Sequence, residues 1–183
     1  MIWLLLLALD PFWVTKPVQD WTDVQIASLL SDSPWGTMAE DTAGGTLGAL
    51  PVYLASAKPV RLAEQESRRR KSAEMDPELE DLLKQNVVIV GVLIRNLNVF
   101  AEGPEIKAME EQSLMIVGKK KIKAAGHLPP TPTDPTLRLV FPRPDLAGVK
   151  ELRFELYLPG VTGNYRNARF FPRDMVFKGE LTY

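Results

Sequence analysis

The spacing of apolar residues changes character along this chain. The first half carries helical spacings. Ile26, Leu29 and Leu30 share one helix face. Thr22 stands where an N-cap belongs, Gln25 closes a capping box three residues on, and Trp21 with Ile26 fits a hydrophobic staple. Ser33-Pro34 ends that helix. Leu50 to Ala55 reads as a short strand, and Ser56 to Lys71 as a helix that tolerates Pro59 in its first turn. Asp76-Pro77 starts another helix with a stripe of Leu79, Leu82 and Leu83. Val87 to Ile94 is a continuous β-branched run, expected as a central strand buried on both faces. Between these, Gly36 to Gly48 shows no periodicity and reads as loop, including the glycine-rich Gly44-Gly45-Thr46-Leu47-Gly48.

The second half turns to a period of two. Pro104 to Gln112 predicts one or two helical turns, after which Leu114 to Val117 and Lys120 to Ala124 flank Gly118-Lys119 as a hairpin. Leu128 to Pro135 is a proline-rich connector. Leu137 to Phe141 and Tyr165 to Phe171 read as strands, and Leu152, Phe154, Leu156 and Leu158 alternate with Glu151, Arg153, Glu155 and Tyr157. Met175, Phe177, Leu181 and Tyr183 are expected on one face of a last strand. Early helices and late strands predict an α+β fold: short N-terminal helices and a mainly antiparallel sheet formed largely by the C-terminal half.

A chain of 183 residues that is 45% hydrophobic and 25% charged can bury a core without metal or disulfide. It contains no cysteine, which removes thiol nucleophiles, disulfides, Cys-type zinc sites and iron–sulfur clusters. A formal net charge of -1 gives no global pull toward nucleic acid or anionic membrane. Ile2 to Leu9 is too short to span a bilayer but fits the apolar region of a truncated export signal. The expected organisation is therefore a signal segment at 1–9 and a single domain with an N-terminal arm at 10–183. The location that follows is periplasmic or secreted, with no integral membrane span.

Candidate chemistry is sparse. His127 is the only histidine, without a second His or Cys to share a metal and without a Gly-x-Ser-x-Gly elbow. It is expected to be structural or solvated, and dispensable. Glu110-Glu111 and Glu78, Glu80 and Asp81 suit a solvated helix face better than an acid/base pair. The basic runs Arg68 to Lys71 and Lys119 to Lys123 lie apart and lack nearby aromatics, so no nucleic-acid partner is expected. No catalytic residue, metal site or cofactor is assigned. Phe-Pro-Arg occurs twice, at 141–143 and 171–173. Proline ending an edge strand accounts for both copies, while Arg143 and Arg173 brought together would form an anion clamp. Trp13, Trp21 and Trp35 are dense enough to seal a core or to form an interaction surface.

Taken in order, Trp21-Thr22, Leu29-Leu30, Asp32-Ser33-Pro34-Trp35, Ser56-Ala57 with Pro59-Val60-Arg61, Phe141-Pro142-Arg143, and Asp174-Met175-Val176 with Gly179-Glu180-Leu181 resemble a group of uncharacterised acidobacterial proteins. That resemblance implies a bacterial origin and an exported chain; it brings no activity, cofactor or catalytic residue. Three functions stay open: a non-catalytic extracytoplasmic binding or structural domain, a carboxylate-based hydrolase of an envelope polymer, and a docking subunit of an envelope assembly.

Overall fold

The computed structural model describes residues 10–41, 48–94, 104–160 and 163–183. The apolar run Ile2 to Leu9 and residues 42–47 of the expected Gly36 to Gly48 loop lie outside them. In chain order the elements are α1 (Phe12–Thr15), α2 (Asp23–Ser31), β1 (Gly36–Asp41), β2 (Leu50–Leu54), α3 (Lys58–Arg70), α4 (Pro77–Leu82), β3 (Val87–Leu93) and α5 (Pro104–Gln112). Then follow β4 (Leu114–Val117), β5 (Lys120–Lys123), β6 (Gly126–Leu128), β7 (Thr136–Pro142), β8 (Leu152–Tyr157), β9 (Tyr165–Phe170), β10 (Val176–Phe177) and β11 (Glu180–Leu181). The α+β expectation holds, with every ladder antiparallel.

Among the described residues the main sheet runs β5-β4-β8-β9-β1-β2-β3-β7-β6. Its two edges are neighbours in sequence, for only Ala124 and Ala125 separate β5 from β6. The Ala124 amide donates to Ser113 O beside β4, and the Ala125 amide donates to Val140 O on β7. One bent strand thus pairs first with one edge and then with the other, curling the sheet into a barrel. Phe141 and Phe154 prove the closure. Their strands are not neighbours in the sheet, yet their rings meet edge to face at 5.5 Å, and Phe154 meets Phe170 at 5.8 Å. These rings, with Val90, Leu139 and Leu156, fill the interior as side chains do in a barrel this narrow.

Helices α2 and α3 cover one side, and α5 packs against β8 and β5. α2 starts with the capping box expected of it: the Gln25 amide donates to Thr22 Oγ1 at 3.2 Å, and the Thr22 amide to Gln25 Oε1 at 3.0 Å. It then packs on β1 and β2. Gly36 permits that approach, since a Cβ there would stand 2.4 Å from the Leu30 carbonyl carbon. α3 crosses β2 and β7 outside the barrel, where Tyr53 lies over its ladder partner Gly91 and leaves no room for a Cβ.

Two expectations fail. Gly36 to Asp41 is not loop but β1, a central strand, held by β2 on one side and β9 on the other. Its residues GTMAED carry little strand propensity, so tertiary pairing decides. The chain end is not one strand but a tight hairpin. Lys178 (φ 51) and Gly179 (φ 83) both take left-handed backbone, as a two-residue primed turn requires. Met175 and Phe177 stay buried while Leu181 turns outward at 44% exposure.

Candidate functional site

Most charges on the helix side are used up in packing. The Tyr53 hydroxyl donates to Glu64 Oε1 at 2.8 Å, and Arg138 reaches Glu64 Oε1 at 3.0 Å and Asp134 Oδ2 at 3.0 Å. Arg68 closes the ring onto Asp134 at 3.2 Å. Burial, then Glu64, pushes the Tyr53 hydroxyl well above its ordinary range. Burial works against the Arg138 charge, yet Glu64, Tyr53 and Asp134 outweigh it and hold Arg138 above its usual value. Burial likewise opposes the Asp134 carboxylate, but Arg138, Thr136 and Arg68 hold its pKa below the ordinary one. Nearby, hydrogen bonds from Arg69 and Arg70 lower Glu66 to about 2. Arg70 also reaches Asp23 at 2.7 Å, tying α3 to α2. Arg68 and Arg70 therefore tie α3 to other elements, beyond the helix-end role expected from sequence, while Arg69 pairs with Glu66 within α3.

The tryptophans divide in the same direction. Trp21 and Trp35 are 1% and 0% exposed, and Trp13 is half-buried against Trp35 at 5.8 Å. Trp35 Nε1 donates to Thr182 O at 2.9 Å, and its ring meets Phe177 at 6.4 Å. Trp21 and Trp35 therefore belong to the core, and Trp13 packs at its margin. Burying Trp21 and Trp35 while giving each ring nitrogen an acceptor satisfies both parts of the side chain.

Arg143 and Arg173 do not share a partner. The Arg143 guanidinium lies 4.0 Å over the Tyr183 ring, while Arg173 is 83% exposed and 3.4 Å from Asp174. Each guanidinium of the repeated tripeptide has its own partner. His127 Nδ1 stands 2.7 Å from Glu110 Oε1, joining β6 to α5. The remaining carboxylates singled out in the sequence are surface pairs: Glu111 with Lys107, and Glu80 and Asp81 with Lys84. Among the described residues no group of three or more His, Asp or Glu could hold a metal ion.

A concave site lies elsewhere, on the seam between β1 and β9. Among the described residues the two strands pair only at Glu40↔Asn167 and Asp41↔Arg166. Gly36 to Ala39 and Ala168 to Phe170 share no ladder pairs, and a groove of about 390 Å³ opens there. That volume lies within the range of small-ligand sites. One wall is the turn from α2 into β1. Ser33 Oγ donates to Leu29 O at 2.6 Å and accepts the Trp35 amide at 3.1 Å, which fixes Asp32 and Pro34 at the rim. The other wall is the end of β9 and the following turn, with Arg169, Phe171 and Asp174. Phe171 offers a ring that is 45% exposed. Both carboxylates are open to water, Asp32 exposed and Asp174 half-exposed. The site therefore combines hydroxyls, solvated carboxylates, one guanidinium and one aromatic ring.

Sequence reasoning did not select Asp32, Arg169, Phe171 or Asp174 as a site. The available signal was that Asp32-Ser33-Pro34-Trp35 and Phe171-Pro172-Arg173-Asp174 are both distinctive strings, and the fold brings them to opposite walls of one groove. Comparison with protein-family models, curated proteins and solved structures finds no match for this chain.

Proposed function

We propose that the chain is a non-catalytic, extracytoplasmic binding domain whose β1–β9 groove takes a hydroxyl-rich polar ligand, a segment of an envelope glycan. The observation that carries this reading is the groove lining. Asp32 and Asp174 accept hydrogen bonds from sugar hydroxyls, Arg169 donates, and the open ring of Phe171 covers an apolar sugar face. The extracytoplasmic placement rests on the apolar run Ile2 to Leu9 and on the resemblance to acidobacterial proteins. No helix among the described residues is long and apolar enough to cross a membrane.

Calorimetric titration of the full chain with soluble cell-wall glycan fragments tests the binding. Saturable binding is expected, weakened about tenfold or more by Asp32→Asn with Phe171→Ala at unchanged thermal stability. Absence of saturable binding overturns it. N-terminal sequencing of the protein from its native host tests the location: an intact Met1 in the cytoplasmic fraction removes that part of the reading.

One observation favours the hydrolase alternative, the presence of both Asp32 and Asp174 in one groove. Paired carboxylates divide acid and base roles when their environments differ. Here both are solvated. Fragments that keep their length after prolonged incubation support binding alone; shortening that Asp32→Asn and Asp174→Asn each abolish makes the chain a hydrolase.

A further inference from the structure

The outer face beside the groove differs in charge from the rest of the molecule. Lys121, Ile116, Arg153 and Arg169 stand in register across β5, β4, β8 and β9. Paired residues in an antiparallel ladder point to the same face, so the three cations form one row, with strands about 4.8 Å apart. Arg153 and Arg169 are 39% and 65% exposed, unlike Arg138 on the helix side. Lys123 lies two residues along β5 on the same face, and Lys119 and Lys120 are exposed at the adjoining hairpin tip. Glu155 at 3.5 Å from Arg153 and Glu151 at 3.6 Å from Arg169 answer only part of this charge. So strong a local excess of positive charge in a chain of net charge -1 leaves the remainder of the molecule acidic.

We infer that this row is an extension of the groove and that the bound polymer is anionic, a linear polysaccharide bearing carboxylates. The inference rests on the glycan reading of the groove and adds the charge of the ligand and its path. Arg169 belongs to both surfaces, lining the groove and beginning the row. A chain leaving the groove therefore passes directly over Arg153 toward Lys121 and the hairpin tip. The acids within the row select among polyanions. Glu151 and Glu155 repel a surface of dense phosphates, but they accept hydrogen bonds from the hydroxyls between the carboxylates of an acidic sugar chain. Stacking of nucleic-acid bases is not provided for, because Ile116 stands between the cations and the nearby Tyr157 and Tyr165 rings pack edge to face on each other at 5.2 Å.

The test uses the full chain with polygalacturonate as the acidic polymer and dextran as the neutral one. Vesicles of phosphatidylglycerol and a single-stranded oligonucleotide serve as rival polyanions. The variant is Lys121→Gln, Lys123→Gln, Arg153→Gln, which leaves every groove residue in place. Lys121→Gln with Lys123→Gln is a second variant that keeps Arg153 should the triple variant fold poorly. Polygalacturonate is expected to bind more tightly than dextran, with affinity that falls as salt rises. The triple variant should lose about tenfold of that affinity and the double variant a measurable part of it, with dextran binding and thermal midpoint unchanged. Equal binding of the two polysaccharides, or an undiminished affinity in the variants, overturns the inference and leaves the groove reading standing. Tighter capture by vesicles or oligonucleotide also overturns it, assigning the row to another class of partner. If neither polysaccharide binds, the groove reading falls with it.

Discussion

Arg138 and Arg153 sit on the outside of the same barrel and serve opposite ends. Arg138 projects under α3, is 4% exposed, and is answered by Glu64 and Asp134 within 3.0 Å. Arg153 projects from β8, away from α3, is 39% exposed, and has Glu155 at 3.5 Å. On the helix side a charge is admitted only with partners that replace its water, because an unpaired buried ion is costly. Around Arg153 water shares that role, so its guanidinium remains available to a ligand. The contrast separates residues that hold this molecule together from residues that can act on something outside it.

The sharpest way to break the contrast is to remove one buried partner. Arg138→Ala takes the buried guanidinium from both Glu64 and Asp134, leaving Arg68 at 3.5 Å and 3.2 Å as their remaining cation, and should cost about 3–5 kcal/mol in urea unfolding. Arg153→Ala should change stability by no more than about 0.5 kcal/mol. Equal losses at the two positions would mean that Arg153 is structural as well. Phe154→Ala, which empties the middle of the barrel between Phe141 and Phe170, should cost about 3–5 kcal/mol.

A pH titration sharpens it further. Glu66 has its folded value near 2 against an ordinary 4.5, so the folded state favours the ionised form. The stability contributed by its bonds to Arg69 and Arg70 is fully present above about pH 4.5 and is lost as pH falls toward 2. Glu66→Gln should flatten that acid limb of the stability curve. At the small end, Thr22→Ala removes the α2 cap and should cost about 1 kcal/mol.

Much of the helix side was legible in the sequence, and little of the groove. The α2 capping box, the N1 proline of α4 and the hairpin at Gly118-Lys119 are local devices, written in a few adjacent residues. β3 declared itself through composition, since a strand covered on both faces must be apolar throughout. β1 was hidden because its partners β2 and β9 supply the order that GTMAED lacks. The C-terminal turn was hidden because Lys178 accepts left-handed backbone without being a residue that announces it. The tryptophans could have faced either way; only the closure of the barrel, with Thr182 and Phe177 brought to Trp35, decides for burial. The groove depends on Asp32 and Asp174, far apart in the chain and each unremarkable alone.

Amide chemical-shift mapping of the full chain titrated with polygalacturonate measures the division between the two sides most directly. The account predicts perturbations concentrated at Asp32, Thr37, Arg169 to Asp174, and along Arg153 to Lys121, with the amides around Tyr53, Glu64 and Arg138 unmoved. Perturbations centred on α3 and β7, with the β1–β9 seam and the β4–β5–β8 face silent, would contradict it.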